Sequence, residues 1–269
     1  MPRGEETGTG LAIEIADLVV RFGSGASAVL AVDHASFSVA PGSFVSLVGP
    51  SGCGKTTILN LLAGLLDAAS QGSPAGRASV LGKPPRPGNP DIAYMLARDS
   101  LLPWRTALGN AAYGMEVRNV PAAEREARAK GLLERVGLGG FMDKYPKALS
   151  HGMRQRCALA RTFALDSPVL LMDEPFGALD AQTKLQLEDV LIDLCAATAK
   201  TVVFVTHDLA EAVALSDRVI VMSARPGRIV ADVAIDLPQP RSVRALQSDP
   251  RFHSLYSRLW TLLEQGMTP

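Results

Sequence analysis

Hydrophobic and polar positions alternate near the start of the chain and then give way to short apolar runs. Leu11, Ile13, Ile15 and Leu18 recur at about every second residue, which is typical of a half-buried strand. Later β-branched or aliphatic runs are too short for membrane helices and indicate buried strands. These predicted strands lie at 31–39, 44–48, 92–95, 167–172, 201–205 and 218–222.

Helical periodicity replaces this pattern in two places. Residues 106–166 contain a highly charged stretch at 122–136 and an amphipathic one at 150–165, so we expect a helical subdomain there. The predicted strands after this subdomain are separated by predicted helices. This alternation is typical of a parallel α/β sheet. Near the end, apolar residues at helical spacing predict a core-facing helix: Phe252, Leu255, Tyr256, Leu259, Trp260 and Leu263.

Composition narrows the class of protein. The 269 residues suffice for one large domain or a core with a subdomain. The 27 Lys and Arg residues balance the 27 Asp and Glu residues. The chain therefore has no net positive charge that would attract nucleic acid or an acidic membrane. The three cysteines form no CxxC pair, which fits a reducing cytosol and argues against zinc or a disulfide framework. We expect no signal peptide, lipid anchor or transmembrane segment.

The strongest motif begins where the strand at 44–48 ends. Residues 49–56 match GxxxxGK[ST] between a predicted strand and a predicted helix, where backbone N–H groups and the helix N-terminus bind phosphate. Lys55 would reach the β- and γ-phosphates, Thr56 would ligate Mg²⁺, and Thr57 would assist at the α- and β-phosphates. The predicted nucleotide-binding residues of this loop are Gly49, Pro50, Ser51, Gly52, Cys53, Gly54, Lys55, Thr56 and Thr57.

Cys53 lies inside this loop, close to a helix N-terminus and to Lys55. Both features favour a thiolate, so we expect a reactive cysteine that bound ATP protects.

Two carboxylates follow the apolar run that ends at Met172. Asp173 and Glu174 would stand at the carboxyl end of a buried strand, where ligands bind in open α/β sheets. Downstream of a phosphate-binding loop, this pair predicts Asp173 as a Mg²⁺ ligand and Glu174 as the base that polarises the attacking water.

A further motif, LSHGMRQR at 149–156, precedes a predicted helix. Ser150 could simply cap that helix, and the same helix N-terminus could bind phosphate. This helix N-terminus lies too far along the chain to bind the nucleotide held by residues 49–57 of the same subunit. We therefore expect it to bind the nucleotide of a neighbouring subunit.

Taken together, these motifs resemble those of the nucleotide-binding subunits of ABC transporters, from about residue 11 onward. The counterparts are Walker A GPSGCGKTT, signature LSHGMRQR, Walker B VLLMDEP, D-loop GALD and the switch histidine in VFVTHD. The resemblance implies that His207 contacts the γ-phosphate, that Phe22 stacks on adenine and that Asp180 acts in the D-loop. It implies that the residues contacting the partner's ATP are Ser150, His151 and Gly152.

The resemblance also implies the fold and its divisions. We expect an α/β protein: a P-loop NTPase core with a mainly parallel sheet, an N-terminal antiparallel β subdomain and an inserted α-helical subdomain. The predicted divisions are a disordered tail at 1–10, the N-terminal β and P-loop core at 11–96, the helical subdomain with the signature at 97–166, the rest of the ATPase core at 167–240 and a C-terminal helical extension at 241–269.

A narrower resemblance rests on LLPW at 101–104, LSDR at 215–218 and SARPG at 223–227, which look like importer ATPases for nitrate, sulfonates, taurine, related small anions or thiamine precursors. It implies ATP and Mg²⁺ as cofactors and a second copy, permease subunits and, indirectly, an extracytoplasmic solute-binding protein as partners, without nucleic acid. The subunit would lie peripherally on the cytoplasmic face of the bacterial membrane. Residues 101–104 would line the permease groove or belong to the subdomain core.

Two other functions compete with this interpretation. A soluble ABC ATPase of DNA repair or translation would need a coiled-coil insertion or tandem cassettes, and neither appears in the sequence. An ATP-binding regulatory module with weak hydrolysis is suggested only by one substitution, Ala97, which stands where the family has its Q-loop glutamine.

The chain departs from the family pattern at three positions. Ala97 offers no amide, so Arg98, Asp99 or a water would have to fill that role, or coupling is weaker than usual. In the signature, His151 replaces the first glycine and Met153 replaces the glutamine. The Ser150 hydroxyl and the backbone amide of Gly152 are retained.

Restoring the missing amide tests the first departure. Because one charge-assisted polar contact contributes roughly 1–3 kcal/mol, we expect Ala97→Gln to raise the ATPase turnover of the isolated subunit about tenfold. The nucleotide Kd, measured in parallel, should stay within a factor of a few. Unchanged or lower turnover would mean that another group already fills the role.

Overall fold

The computed structural model describes residues 10–23, 28–66, 74–97, 100–177, 179–239 and 241–267. The predicted tail lies outside the described residues except for Gly10. The strands are β1 (Ile13–Phe22), β2 (Val29–Val39), β3 (Phe44–Val48), β4 (Ala75–Val80), β5 (Ile92–Met95), β6 (Val169–Asp173), β7 (Thr201–Thr206), β8 (Arg218–Met222) and β9 (Ile229–Ala234). The helices are α1 (Lys55–Leu62), α2 (Ala107–Val117), α3 (Ala122–Arg135), α4 (His151–Ala164), α5 (Ala181–Thr198), α6 (Leu209–Leu215), α7 (Val243–Leu246) and α8 (Pro250–Met267).

The strands form two sheets. An antiparallel sheet has the order β2-β1-β4, and a larger sheet has the order β5-β6-β7-β3-β8-β9. All neighbours in the larger sheet are parallel except β9, which is antiparallel to β8. Helices α2, α3 and α4 are inserted between β5 and β6. The predicted fold class is confirmed.

The larger sheet is buried on both faces, which explains its continuous apolar runs. Successive side chains of a strand point to opposite faces, so Val45 and Leu47 pack with the antiparallel sheet and α1, whereas Phe44 and Val48 pack in the core shared with the helical insertion. β3 therefore holds the two cores together, with all five of its residues buried.

Three details differ from the sequence-based expectations. The pattern of apolar residues predicts neither β4 nor β9, because each of these strands buries only one of its residues. Helix α1 ends at Leu62, although its apolar pattern predicts an end near Leu66. The reason is Gly64, which has φ +71° and approaches the backbone of Arg86 so closely that a Cβ would lie 2.2 Å from the Arg86 carbonyl carbon.

The C-terminal helix α8 faces the core as its periodicity predicts. Phe252, Leu259 and Leu263 are buried as predicted. The prediction is wrong for Trp260, which is 47% exposed and stacks on Tyr256. In the part of the chain that is described, no helix is both long and apolar enough to cross a membrane.

A cluster of charged side chains joins α5 to the start of α6. Lys184 Nζ lies 2.5 Å from Asp208 Oδ2 and 2.6 Å from Glu211 Oε1. Glu188, only 2% exposed, lies one helical turn beyond Lys184. Burial, reinforced by the charge of Glu211, raises the pKa of Glu188 to about 7. The carboxyl of Glu188 is therefore protonated in mildly acidic solution.

This raised pKa makes stability depend on pH. Ionising Glu188 is harder in the folded than in the unfolded protein, so folding stability falls as pH rises from the unfolded value of 4.5 toward about 7. A neutral amide avoids this cost. We expect Glu188→Gln to raise Tm by about 3 °C or more at pH 8, yet by little at pH 4.5.

The matched control is Glu134→Gln, at an exposed position of α3. Its Tm difference from the wild type should be small at both pH values. A Glu188→Gln difference that is the same at pH 4.5 and pH 8, measured by thermal unfolding, would contradict the shifted pKa.

Candidate nucleotide-binding site

The phosphate-binding loop connects β3 to α1. Gly54 has φ +100°, and a Cβ there would lie 2.7 Å from Val32 Cγ2, so only glycine fits. Lys55 is buried and its Nζ donates to the carbonyl oxygens of Gly49 (2.7 Å) and Pro50 (3.0 Å). The ammonium thus lies over the loop, where it can exchange these carbonyls for phosphate oxygens.

The two predicted metal ligands are in contact. Thr56 Oγ1 donates to both carboxylate oxygens of Asp173, at 3.1 and 2.9 Å. Burial raises the pKa of Asp173, and the neighbouring Glu174 adds to this effect. A hydroxyl and a buried carboxylate at the foot of a phosphate-binding loop are the hard oxygen donors that Mg²⁺ prefers. These residues fit the predicted ion.

The predicted base and the switch histidine also meet. Glu174 directly follows β6 and has φ +44°, an uncommon conformation for a residue other than glycine. Its N–H donates to the Val205 carbonyl at 2.9 Å, which ties it to β7. His207, just after β7, places Nδ1 3.1 Å from Glu174 Oε2. The parallel pairing of β6 and β7 thus brings together two residues that are far apart in sequence.

A cavity of about 250 Å³ opens above the loop. Half-buried Phe22 and Glu174 both line this cavity. Arg225 lines the same cavity, although the sequence motif containing it suggested only a subfamily. The predicted site residues that line it are Phe22, Ser51, Gly52, Gly54, Lys55, Thr56, Thr57 and Glu174.

The signature residues are not among those that line this cavity. Ser150 caps α4, its side chain accepting from Met153 N at 3.2 Å. A Cβ on Gly152 would lie 2.6 Å from Thr183 Cγ2, so the signature packs tightly on α5. His151 Nδ1 lies 3.3 Å from an Arg154 guanidinium nitrogen. The capping role and the phosphate role weighed for Ser150 are compatible, since a capped helix start still presents N–H groups.

Asp180 caps the next helix in the same way. Its carboxylate accepts from Thr183 N at 3.0 Å, and this hydrogen bond lowers the pKa of Asp180. Because Thr183 also contacts Gly152, the D-loop and the signature lie side by side.

The expectation of a reactive Cys53 is wrong. Its side chain is fully buried, and burial raises the pKa of the thiol despite the nearby Lys55. A Cβ on Gly49 would lie 2.9 Å from Cys53 Sγ, so the thiol packs beneath the loop rather than in the nucleotide cavity.

Ala97 lies just beyond β5 and is exposed. Arg98 and Asp99, the suggested substitutes for the missing amide, lie outside the described residues.

Comparison with known proteins identifies the family. The family model described as ABC transporter matches residues 32–177, more than half of the chain. The chain belongs to the ABC transporter family. As a member of it, the chain is an ATP-binding protein and an ATPase.

Curated relatives are similar over nearly their whole length. A putative ATP-binding protein of Brucella abortus is 42% identical over 249 residues, covering 92% of each chain. The taurine import ATP-binding protein TauB of Rhizobium johnstonii is 40% identical over 239 residues, covering 87% of this chain and 89% of that protein.

A solved structure matches as well. It is the dimeric structure of a post-hydrolysis state of the ATP-binding cassette MJ0796, bound to ADP and Pi, with a TM-score of 0.72 at 27% identity. The match covers 84% of this chain and 100% of that one.

Proposed function

We propose that this subunit hydrolyses ATP to energise the uptake of a small solute, such as taurine, another sulfonate or nitrate, through a membrane permease. The relatives named as taurine import proteins support the solute class. The cavity that brings the phosphate-binding loop together with Glu174 supports the chemistry.

In the proposed reaction, each residue acts where its element holds it. Lys55 neutralises charge on the β- and γ-phosphates, and the Glu174 carboxylate accepts a hydrogen bond from the attacking water and orients it. His207, in contact with Glu174, would contact the γ-phosphate. Thr56 and Asp173 would hold Mg²⁺, which supplies charge neutralisation at the phosphate oxygens.

The complete site needs two copies. Ser150 and Gly152 are not among the residues lining the cavity, so within one subunit the signature is separated from the nucleotide. A second copy, turned to face the first, would place its signature on this ATP. The dimer in the related MJ0796 structure supports this arrangement. Closure would complete the charge neutralisation that phosphoryl transfer requires.

Residues 101–104 provide the proposed contact with the permease. Leu101 is buried in the helical core, whereas Trp104 is 70% exposed. The fully buried Asn110 amide fixes the segment between them, accepting from Leu102 N at 2.7 Å and donating to the carbonyls of Leu102 and Arg105. A rigidly presented indole is a typical interface anchor. The subunit would then lie on the cytoplasmic face of the membrane, and the permease would receive solute from an extracytoplasmic binding protein.

Glu174→Gln tests the catalytic assignment. The amide keeps the shape but cannot act as base, so turnover should fall about a hundredfold or more while ATP affinity is retained. With ATP and Mg²⁺, the variant should elute as a stable dimer in size-exclusion chromatography. Glu124→Gln, at an exposed site of α3, should behave as the wild type. Wild-type turnover of Glu174→Gln, or a monomer at saturating ATP, would refute the assignment.

Trp104→Ala tests the permease contact. Loss of an interface anchor should reduce the permease that co-purifies in detergent by about tenfold or more, without changing the ATPase rate of the isolated subunit. Trp260→Ala is the matched control, because it removes the other, also exposed, tryptophan from α8. Undiminished co-purification of Trp104→Ala would place the docking surface elsewhere.

A further inference from the structure

The loop between β8 and β9 reaches the nucleotide cavity for a topological reason. β8 pairs in parallel with β3, with Val221 opposite Val48, so both strands end at the same edge of the sheet. β3 continues into the phosphate-binding loop, and β8 continues into residues 223–228. The two loops must therefore lie side by side.

Close contacts hold this second loop in place. Gly227 N donates to the Ala31 carbonyl at 3.0 Å, and its own carbonyl accepts from Asp33 N at 2.9 Å. A Cβ on Gly227 would lie 1.9 Å from the Cys53 carbonyl oxygen, so only glycine allows this approach to the phosphate-binding loop. On the other side, Ala224 N donates to the Gly266 carbonyl of α8 at 2.9 Å.

Arg225 projects from this anchored loop into the nucleotide cavity. Its Nε lies 3.3 Å from the Gly52 carbonyl oxygen, and the side chain lines the same cavity as Phe22 and Lys55. The residue is exposed. The guanidinium thus stands beside the loop that binds phosphate while keeping most of its donors free of backbone partners.

Two neighbouring arginines form ion pairs, in contrast to Arg225. Arg218 forms an ion pair with Asp232, and Arg228 pairs with Asp33 at 2.6 Å. Across the described ranges, no carboxylate forms an ion pair with Arg225. Lys55, the other cation lining the cavity, is buried against carbonyl oxygens. Arg225 is therefore a positive charge that lines the nucleotide cavity without an ion-pair partner among the described residues.

We propose that Arg225 is a further nucleotide-binding residue, and that its guanidinium binds phosphate oxygens of the nucleotide from the side opposite Glu174's strand. A guanidinium binds phosphate through paired N–H donors, which a lysine ammonium cannot reproduce. The inference rests on the proposed nucleotide site. It gives the SARPG segment, otherwise only a mark of the subfamily, a physical role.

Calorimetric titration with Mg·ADP, AMP and adenosine tests the proposal, since none of these is hydrolysed at the γ-phosphate. We expect Arg225→Ala to weaken Mg·ADP binding about tenfold, and Arg225→Lys to weaken it less. AMP should lose less affinity than ADP, and adenosine should bind as it does to the wild type. The affinity of the wild type for Mg·ADP should also fall more steeply with rising salt concentration than the affinity of Arg225→Ala does.

The matched control is Arg258→Ala, which removes an exposed arginine from α8 and should leave every affinity unchanged. Mg·ADP affinity of Arg225→Ala within a factor of two of the wild type would overturn the proposal. Equal weakening for adenosine and ADP would also overturn it, because the contact would then be to the nucleoside or the effect structural. Failure of the wild type itself to bind Mg·ADP would instead refute the proposed nucleotide site.

Discussion

The parallel pairing of β3 with β7, and of β7 with β6, is the constraint on which the site depends. Parallel strands all deliver their carboxyl ends to one edge, and at that edge the chain leaves three strands through Gly49, Asp173 and His207. None of these residues is near another in sequence. Their proximity is a property of the sheet, and the loops add only the final orientation.

The same sheet separates two hydrophobic cores, and each core supports a different set of site residues. On one face it packs on the antiparallel sheet and α1, which carry Phe22 and Lys55; on the other it packs on the helical insertion, which carries Ser150 and Trp104. Apolar side chains that alternate along each strand contact both layers. The strands through which the layers meet also lead into the proposed catalytic groups, so both layers pack on the strands that position Asp173 and His207.

Much of this arrangement is predictable from sequence because its signals are local. The glycine spacing of the phosphate-binding loop, the apolar run before Asp173 and the helical insertion each follow from neighbouring residues. The burial of Cys53 was not predictable, because it depends on how closely Gly49 lies to the thiol in the folded chain. Nor was the position of Arg225, which depends on the register of β8 against β3. A single local sequence motif does not predict contacts between residues that the sheet brings together from distant parts of the chain.

The hydrogen bond from Ala224 to Gly266 has a practical consequence. It makes the last turn of α8 a structural neighbour of the loop that approaches Cys53 and Gly52, although these residues are separated by most of the chain. We therefore expect an affinity tag fused close to Gly266, or a truncation that removes it, to disturb the loop that lines the nucleotide cavity. Placing tags at the other terminus keeps measured ATP affinities free of this artefact.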